Sequence, residues 1–298
     1  MQTPFEQAVL AVVDGDLNGL HALLAAHPAI VHERSDDEFG AGLLHHVAAN
    51  GVPDALQRTP ANAVDICRCL LDAGAEPDGW SQGYGGGNNS TPLCLLVSSW
   101  WPFAAKLQAP LVAALVQGGA RANGLDDDGM PLATALVFGY RTAAEALFEC
   151  GARVDNILFA AGLGQADLRS RLAPSSDAKR NDNETAALLG SYRSPFGVTP
   201  PTTRKGVLQQ ALHFAVSHSR HDAIDQLLVA GADSNGEVDG HHCRLPLVQA
   251  LFLKRSATAI HLLSHSADPD RVDTKRNTTA RGLARETQLT EFLQALER

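Results

Sequence analysis

Histidine is the most chemically versatile residue of this chain, which has twelve of them among 298 residues. Neutral imidazole binds metals and transfers protons near neutral pH, so histidine spacing can reveal a metal or catalytic site. His241 and His242 are adjacent in the sequence. Adjacent residues rarely bind one ion, because a metal site needs further ligands that converge on it. With no third ligand marked by the sequence, this pair predicts no metal site.

Other signatures of catalysis or cofactor binding are missing from the sequence. It contains no Gly-x-Ser-x-Gly elbow, Walker loop, Gly-x-Gly-x-x-Gly fingerprint or His-Glu-x-x-His helix. The glycine-rich stretch 83–90 lacks the Lys-Ser of a phosphate-binding loop, and the acidic run 126–129 lacks the further oxygen ligands of a calcium loop. We therefore predict no catalytic residues, no metal ligands and no cofactors, and we expect that the protein is not an enzyme.

The aromatic residues are concentrated in one region of the chain. All three tryptophans, Trp80, Trp100 and Trp101, lie there together with Tyr84 and Phe103. Exposed tryptophan and tyrosine rings are typical anchors of protein interfaces, whereas rings covered by a long loop form a small satellite core. The sequence leaves both interpretations open.

Short helix pairs are the elements that must position these residues. In the stretch 211–235, apolar residues recur at helical spacing over 212–216 and again over 224–228. Gly231 then supplies the left-handed residue that ends the second helix. One such pair is too small to bury both apolar faces, so it requires similar pairs on either side.

This stretch resembles the ankyrin repeat. Ala211-Leu212-His213 stands in place of the Pro-Leu-His that opens the first helix, and 227–235 matches the Leu-Leu-x-x-Gly-Ala-Asp-x-Asn ending. A fuller match to the opening occurs at Thr91-Pro92-Leu93, where proline suits the first helical turn. The resemblance implies an all-α solenoid of about eight helix-turn-helix units with β-turn fingers and irregular insertions. It also implies that His45 and His213 bind the backbone of adjoining fingers.

The repeat pattern predicts three segments along the chain. Residues 5–172 would hold repeats one to five, with an enlarged third unit at 79–123, and residues 207–298 would hold repeats six to eight with a C-terminal cap. Between them, 173–206 is a polar insertion or linker without the repeat pattern. A loop of this kind is typically functional or partly disordered.

Composition restricts the partners and the compartment. The formal net charge of -9 argues against binding to nucleic acid or to an anionic membrane, both of which need a basic surface. The five cysteines have no spacing typical of a disulfide framework, which indicates a reducing compartment. No apolar stretch approaches the length of a membrane span of about 18 residues. We therefore expect a soluble, cytoplasmic protein that binds neither nucleic acid nor membranes.

The resemblance implies a non-enzymatic module that binds another protein in a concave groove of first helices and fingers. The alternative is a small-molecule-binding protein or enzyme, in which the insertions 79–108 and 173–206 close the groove into a pocket. The residues expected to contact a partner lie on the first helices, near the rim of the groove or in the aromatic region. They are His46, Leu95, Thr134, Phe159, Phe214 and Gln249 on the first helices, and Tyr84, Trp100, Trp101, Tyr140 and Arg141 elsewhere.

Overall fold

The computed structural model describes residues 2–172, 181–190, 192–195, 199–240 and 242–297, with the side chains of 181–184 left aside. These residues form two compact units. Unit 1 comprises Met1–Ala135 and Tyr140–Arg153, and unit 2 comprises Leu136–Gly139 and Val154–Arg298. The two units are defined by the contacts between their residues and not by the repeats. The repeat boundaries expected at residues 172 and 206 therefore stay a prediction.

Unit 1 consists of helix pairs that pack in two rows. Its helices are α1 (Pro4–Asp14), α2 (Leu17–Ala26), α3 (Leu43–Ala48), α4 (Ala63–Asp72), α5 (Pro92–Ser98), α6 (Trp100–Ala104), α7 (Gln108–Gln117), the first part of α8 (Met130–Phe138) and α9 (Arg141–Glu149). Helices α1, α3 and α5 pack in succession, and so do α2, α4, α7 and α9. Short 3-10 helices span Pro28–His32, Asp54–Leu56, Gly83–Gly85 and Gly87–Ser90. Each helix therefore contacts mainly the next member of its own row and its own pair.

Unit 2 repeats this arrangement. Its remaining elements are α10 (Ile157–Leu163), α11 (Leu168–Leu172), α12 (Asn181–Leu189), α13 (Arg204–Ser217), α14 (His221–Val229), α15 (Pro246–Phe252), α16 (Ser256–Ser264), β1 (Val272–Asp273), β2 (Thr278–Thr279), α17 (Ala280–Glu286) and α18 (Thr290–Ala295). Helices α10, α13, α15 and α17 pack in succession, and α16 packs on α18. The strands β1 and β2 form an antiparallel ribbon in which Val272 faces Thr279.

Local sequence signals explain where the helices begin and end. The Thr91 hydroxyl accepts a hydrogen bond from the Cys94 amide at 3.3 Å, and the Asn156 side chain accepts one from the Phe159 amide at 2.9 Å. These side chains satisfy amides that have no partner within the helix. At the other end of a pair, Gly231 has φ 106°, a conformation that glycine adopts without strain. The residues that recur at helix openings and endings in the sequence therefore determine where the helices begin and end.

A buried carboxylate anchors the ribbon of unit 2. Asp273 is fully buried, and one of its oxygens accepts from the amides of Arg244 at 2.6 Å and Leu245 at 2.8 Å. The other oxygen accepts from the amides of Lys275 and Arg276, each at 3.0 Å. Such charge-assisted hydrogen bonds are stronger than neutral ones. Asp273 thus joins the ribbon to the segment that leads into α15.

The predicted all-α class is confirmed, because helices make up the regular structure of the described residues apart from the ribbon of two-residue strands. Helix α12 lies within the predicted insertion 173–206 and ends at Leu189. Among the described residues, every helix is too short or too polar to cross a lipid bilayer.

Candidate functional site

Exposed aromatic rings of unit 1 lie around the short helix α6 and in the finger that precedes α5. The exposed fractions are 60% for Trp100, 58% for Tyr84, 46% for Trp80 and 44% for Trp101. We use the term aromatic surface for Tyr84, Trp100, Trp101, Phe103 and Tyr140. Of the two interpretations left open by the sequence, exposure of the rings is the one that the structure favours over a covered satellite core.

Helix α6 replaces the tight turn expected between two paired helices, and hydrogen bonds hold it on both sides. Before it, the Ser99 hydroxyl donates to the Ala49 carbonyl at 3.0 Å. After it, the buried Gln108 amide donates to the carbonyls of Leu96 and Ser99, each at 3.1 Å. The backbone that carries the two tryptophans is therefore fixed to the neighbouring repeat and to its own pair.

Ring contacts extend the aromatic surface from α6 to the start of α9. The rings of Trp100 and Phe103 have centroids 5.5 Å apart, and Phe103 stacks on Tyr140 at 4.6 Å. Burial raises the pKa of Tyr140 to about 12, so its hydroxyl stays neutral at physiological pH. Beside it, Arg141 donates to the Glu145 carboxylate at 2.9 Å. A charged pair thus borders the apolar rings.

Tyr84 is held against the same part of unit 1 by the finger. Its hydroxyl donates to the side-chain oxygen of Asn50 at 2.7 Å, and the Asn50 amide donates to the Ser98 hydroxyl at 2.9 Å. Tyr84 has φ 51°, an uncommon conformation for a bulky residue. The preceding Gly83 lies so close to Gly51 that an added Cβ would come within 3.2 Å of its Cα. The finger therefore packs directly on the loop after α3.

The six predicted groove residues of the first helices are buried. His46, Leu95, Thr134, Phe159, Phe214 and Gln249 are each at most 1% exposed. The expectation that these side chains line an open groove is therefore wrong, although a role in partner binding stays a prediction. In unit 1, Leu95 packs so close to the Gly51 backbone that a Cβ there would lie 3.1 Å from its methyl carbon.

In unit 2, residues of the predicted insertion cover the first helices. The ring of Tyr192 lies 5.9 Å from that of Phe159 and 6.4 Å from that of Phe214, centroid to centroid. Gln249 is used internally, because its amide donates to the Ser217 hydroxyl at 3.0 Å. The predicted groove residues of unit 2 thus make contacts within the chain.

Three buried histidines are neutral at physiological pH. Burial lowers the pKa of His45, His46 and His213 to about 4. His213 hydrogen-bonds the Cys243 carbonyl at 3.1 Å in the following finger, as the resemblance implies, and His45 accepts from the Gly42 amide at 3.1 Å. By contrast, neither ring nitrogen of His46 has a hydrogen-bond partner among the described residues.

The rejected metal candidates have structural roles where they are described. His241 lies outside the described residues, and the ring of His242 packs at 4.9 Å from Phe252 and 6.0 Å from Phe138. In the acidic run 126–129, an Asp128 oxygen accepts from the Met130 amide at 3.1 Å, as in a turn.

Sequence reasoning missed a cluster of histidine and aspartate in unit 2. The Nε2 atoms of His261 and His265 lie 2.7 and 2.9 Å from the same Asp225 oxygen. A signal was present, because His221 and Asp225 are four residues apart, as are His261 and His265, and this spacing places side chains on one face of a helix. The expectation that no residue is a metal ligand was made without this group and stays a prediction.

The predicted ligand pocket stays a prediction. Part of its second wall, within 173–206, lies outside the described residues. A cleft of about 580 Å³ does occur in unit 1, but α1 and the segment 33–37 line it, with Leu56, and no described residue of either insertion contributes. Its polar lining includes Thr3, Glu6 and Arg34.

No model of a known protein family matches the sequence, and no curated protein matches it. Among the 190 solved chains that match is the crystal structure of the human ASB11 ankyrin repeat domain. It is 18% identical, with a TM-score of 0.46, and the match covers 97% of this chain and 98% of that chain. Within each unit, the fold is an all-α array of stacked helix pairs. The array has the left-handed turns and the successive packing that the sequence pattern predicts, so the expected all-α repeat fold is confirmed.

Proposed function

We propose that this ankyrin-repeat chain is a non-enzymatic module that binds a partner protein through the aromatic surface of unit 1. The observation that carries the proposal is the exposure of two adjacent tryptophans, Trp100 at 60% and Trp101 at 44%, on a helix with a fixed backbone. Tryptophan is enriched among the residues that dominate binding energy at protein interfaces. Large rings on a rigid backbone lose little conformational entropy on binding.

The exposed rings offer enough apolar area for a specific contact. An aromatic side chain buries roughly 150–250 Å² when fully covered. With about half of that area free on each tryptophan, covering both rings would contribute about 4–6 kcal/mol at about 25 cal/mol per Å². This magnitude is typical of the few residues that determine an interface.

The surroundings of the rings suit a protein interface. Arg141 and Glu145 form an ion pair at 2.9 Å beside Tyr140, and their side chains are 43% and 37% exposed. A polar border around an apolar centre is the usual organisation of such an interface. The five cysteines are free thiols, which fits the cytoplasmic location expected from the sequence.

Affinity capture from native extract tests this proposal. We expect the wild-type chain to retain a partner that the double variant Trp100→Ala/Trp101→Ala loses, with at least a tenfold fall in affinity measured on the isolated partner. The matched control is Phe148→Ala, which removes another exposed ring of unit 1, 42% exposed, outside the aromatic surface.

Stability measurements separate binding from folding. Because the two tryptophans are largely exposed, we expect each single alanine variant to change the free energy of unfolding by less than about 1 kcal/mol. Equal partner capture by the wild type and the folded double variant would contradict the proposal. Loss of capture in the Phe148→Ala control would contradict the assignment of the site to α6.

A further inference from the structure

The unpredicted histidine cluster of unit 2 joins the second helices of two successive repeats. Asp225 lies on α14, while His261 lies on α16 and His265 directly follows that helix. Both imidazole Nε2 atoms lie within 3 Å of one oxygen of Asp225, at 2.7 and 2.9 Å. One donor atom from each of the three residues lies within 4.8 Å of the other two.

The donor set matches the chemistry of zinc. Zinc accepts imidazole nitrogen and carboxylate oxygen at about 2.0–2.2 Å, and two histidines with one carboxylate are a known ligand set in which water occupies the fourth position. Tetrahedral ligands at those distances lie about 3.3 Å apart. Moving the present donors to that spacing requires shifts of well under 1 Å for the two imidazole–carboxylate pairs, which side-chain torsions can supply.

Access and orientation also favour an ion at this position. The side chains of His261, His265 and Asp225 are 24%, 34% and 47% exposed, so an ion can reach the donors from solvent. The His261 ring stacks on the His221 ring at 4.6 Å with an interplanar angle of 9°. His221 is itself fixed, because its Nε2 lies 3.1 Å from the Thr258 hydroxyl. Supporting contacts of this kind orient metal-binding imidazoles.

We propose that unit 2 binds one zinc ion through Asp225, His261 and His265, with water as the fourth ligand. When the ion binds, each imidazole offers its Nε2 lone pair and carries its single proton on Nδ1, while the carboxylate offsets part of the ion's charge. It joins α14 to α16 and thereby stabilises the contact between successive repeats. The site is independent of the aromatic surface, which belongs to unit 1.

Calorimetric titration of the metal-free full chain with Zn²⁺ tests the site. We expect one equivalent to bind to the wild type, and His265→Gln and His261→Gln to bind at least about tenfold more weakly. The matched control is His27→Gln, which removes an exposed histidine of unit 1 and leaves the affinity unchanged. Co²⁺ used as a spectroscopic probe should show visible absorption typical of a four-coordinate site in the wild type only.

The alternative role is purely structural, with both imidazoles donating to Asp225 in the absence of any ion. Absence of a one-to-one zinc complex with the wild type would establish that role and overturn the proposal, as would equal zinc affinity in the wild type and the folded ligand variants. Circular dichroism establishes folding of each variant. If either histidine variant unfolds, Asp225→Asn supplies the test, because it preserves side-chain shape but removes the anionic ligand.

Discussion

Replacement of His46 with leucine is expected to make unit 1 less sensitive to acid. The His46 side chain is 1% exposed, and neither ring nitrogen has a hydrogen-bond partner among the described residues. Burial lowers its pKa from the ordinary 6.5 to about 4, although the Asp37 charge opposes the shift. Protonation therefore favours the unfolded chain, in which the imidazole is in water.

The sign and size of the effect follow from the two pKa values. Above pH 6.5 the imidazole is neutral in both states, and the full stability is present. As the pH falls from 6.5 towards 4, only the unfolded chain takes up the proton, and each pH unit costs about 1.4 kcal/mol. At pH 5 the free energy of unfolding is lower by about 2 kcal/mol because of His46. This is a substantial part of the total for a typical domain, which is about 5–15 kcal/mol.

The assay is urea unfolding at pH 7.5 and pH 5, followed by tryptophan fluorescence. All three tryptophans lie in unit 1, so the signal reports on the unit that contains His46. We expect His46→Leu to lose about 2 kcal/mol less than the wild type between the two pH values. At pH 7.5 the variant should be at least as stable, because leucine removes two unpaired nitrogens that cost about 1–3 kcal/mol when buried.

The exposed His27 provides the control, since His27→Gln should lose as much stability on acidification as the wild type. His45, adjacent to His46 and also buried, is present in both chains and contributes acid sensitivity to each of them, mainly through its burial. An unchanged difference between pH 7.5 and pH 5 in His46→Leu would refute the assignment of a buried neutral imidazole to this position.

Two further predictions concern unit 2 and the thiols. Asp273→Asn should lower the free energy of unfolding by about 3 kcal/mol, because the new NH₂ group would face two of the four backbone amides that now donate to the carboxylate. Urea unfolding followed by circular dichroism measures this loss, and a loss below about 1 kcal/mol would contradict the role of Asp273 as an anchor. Burial raises the pKa of Cys67, Cys94 and Cys243 to about 12, so iodoacetamide should label the partly exposed Cys150 first in the native chain. Mass spectrometry measures the labelling rates, and equally fast labelling of Cys94 would contradict this prediction.

The repeat fold was predictable because its signals are local. Thr91-Pro92-Leu93 predicts a helix start, and α5 begins at Pro92 with the Thr91 hydroxyl as its cap. Gly231 predicts a left-handed ending, and its φ of 106° provides one. Such signals depend on a few neighbouring residues and not on distant parts of the chain.

The candidate sites were less predictable because they depend on distant packing. The family pattern assigns His46 to an accessible position, whereas the finger that precedes α5 packs beside the end of its helix, and the side chain is buried. Likewise, the exposure of Trp101 could not be predicted from the sequence, because it depends on where α6 lies. The histidine cluster forms only when α14 and α16 come together, so spacing within each helix reveals just half of it.

Helix α6 shows that this architecture can accept extra chain at a junction. Helices α4, α7 and α9 still pack in succession although additional residues are inserted before α7. Substitution and length change in the segment 100–107, between the anchoring residues Ser99 and Gln108, would therefore be tolerated more readily than in the stacked helices. Over evolutionary time such a junction can diversify while the framework stays constant, and in the laboratory it offers a place to graft new sequences.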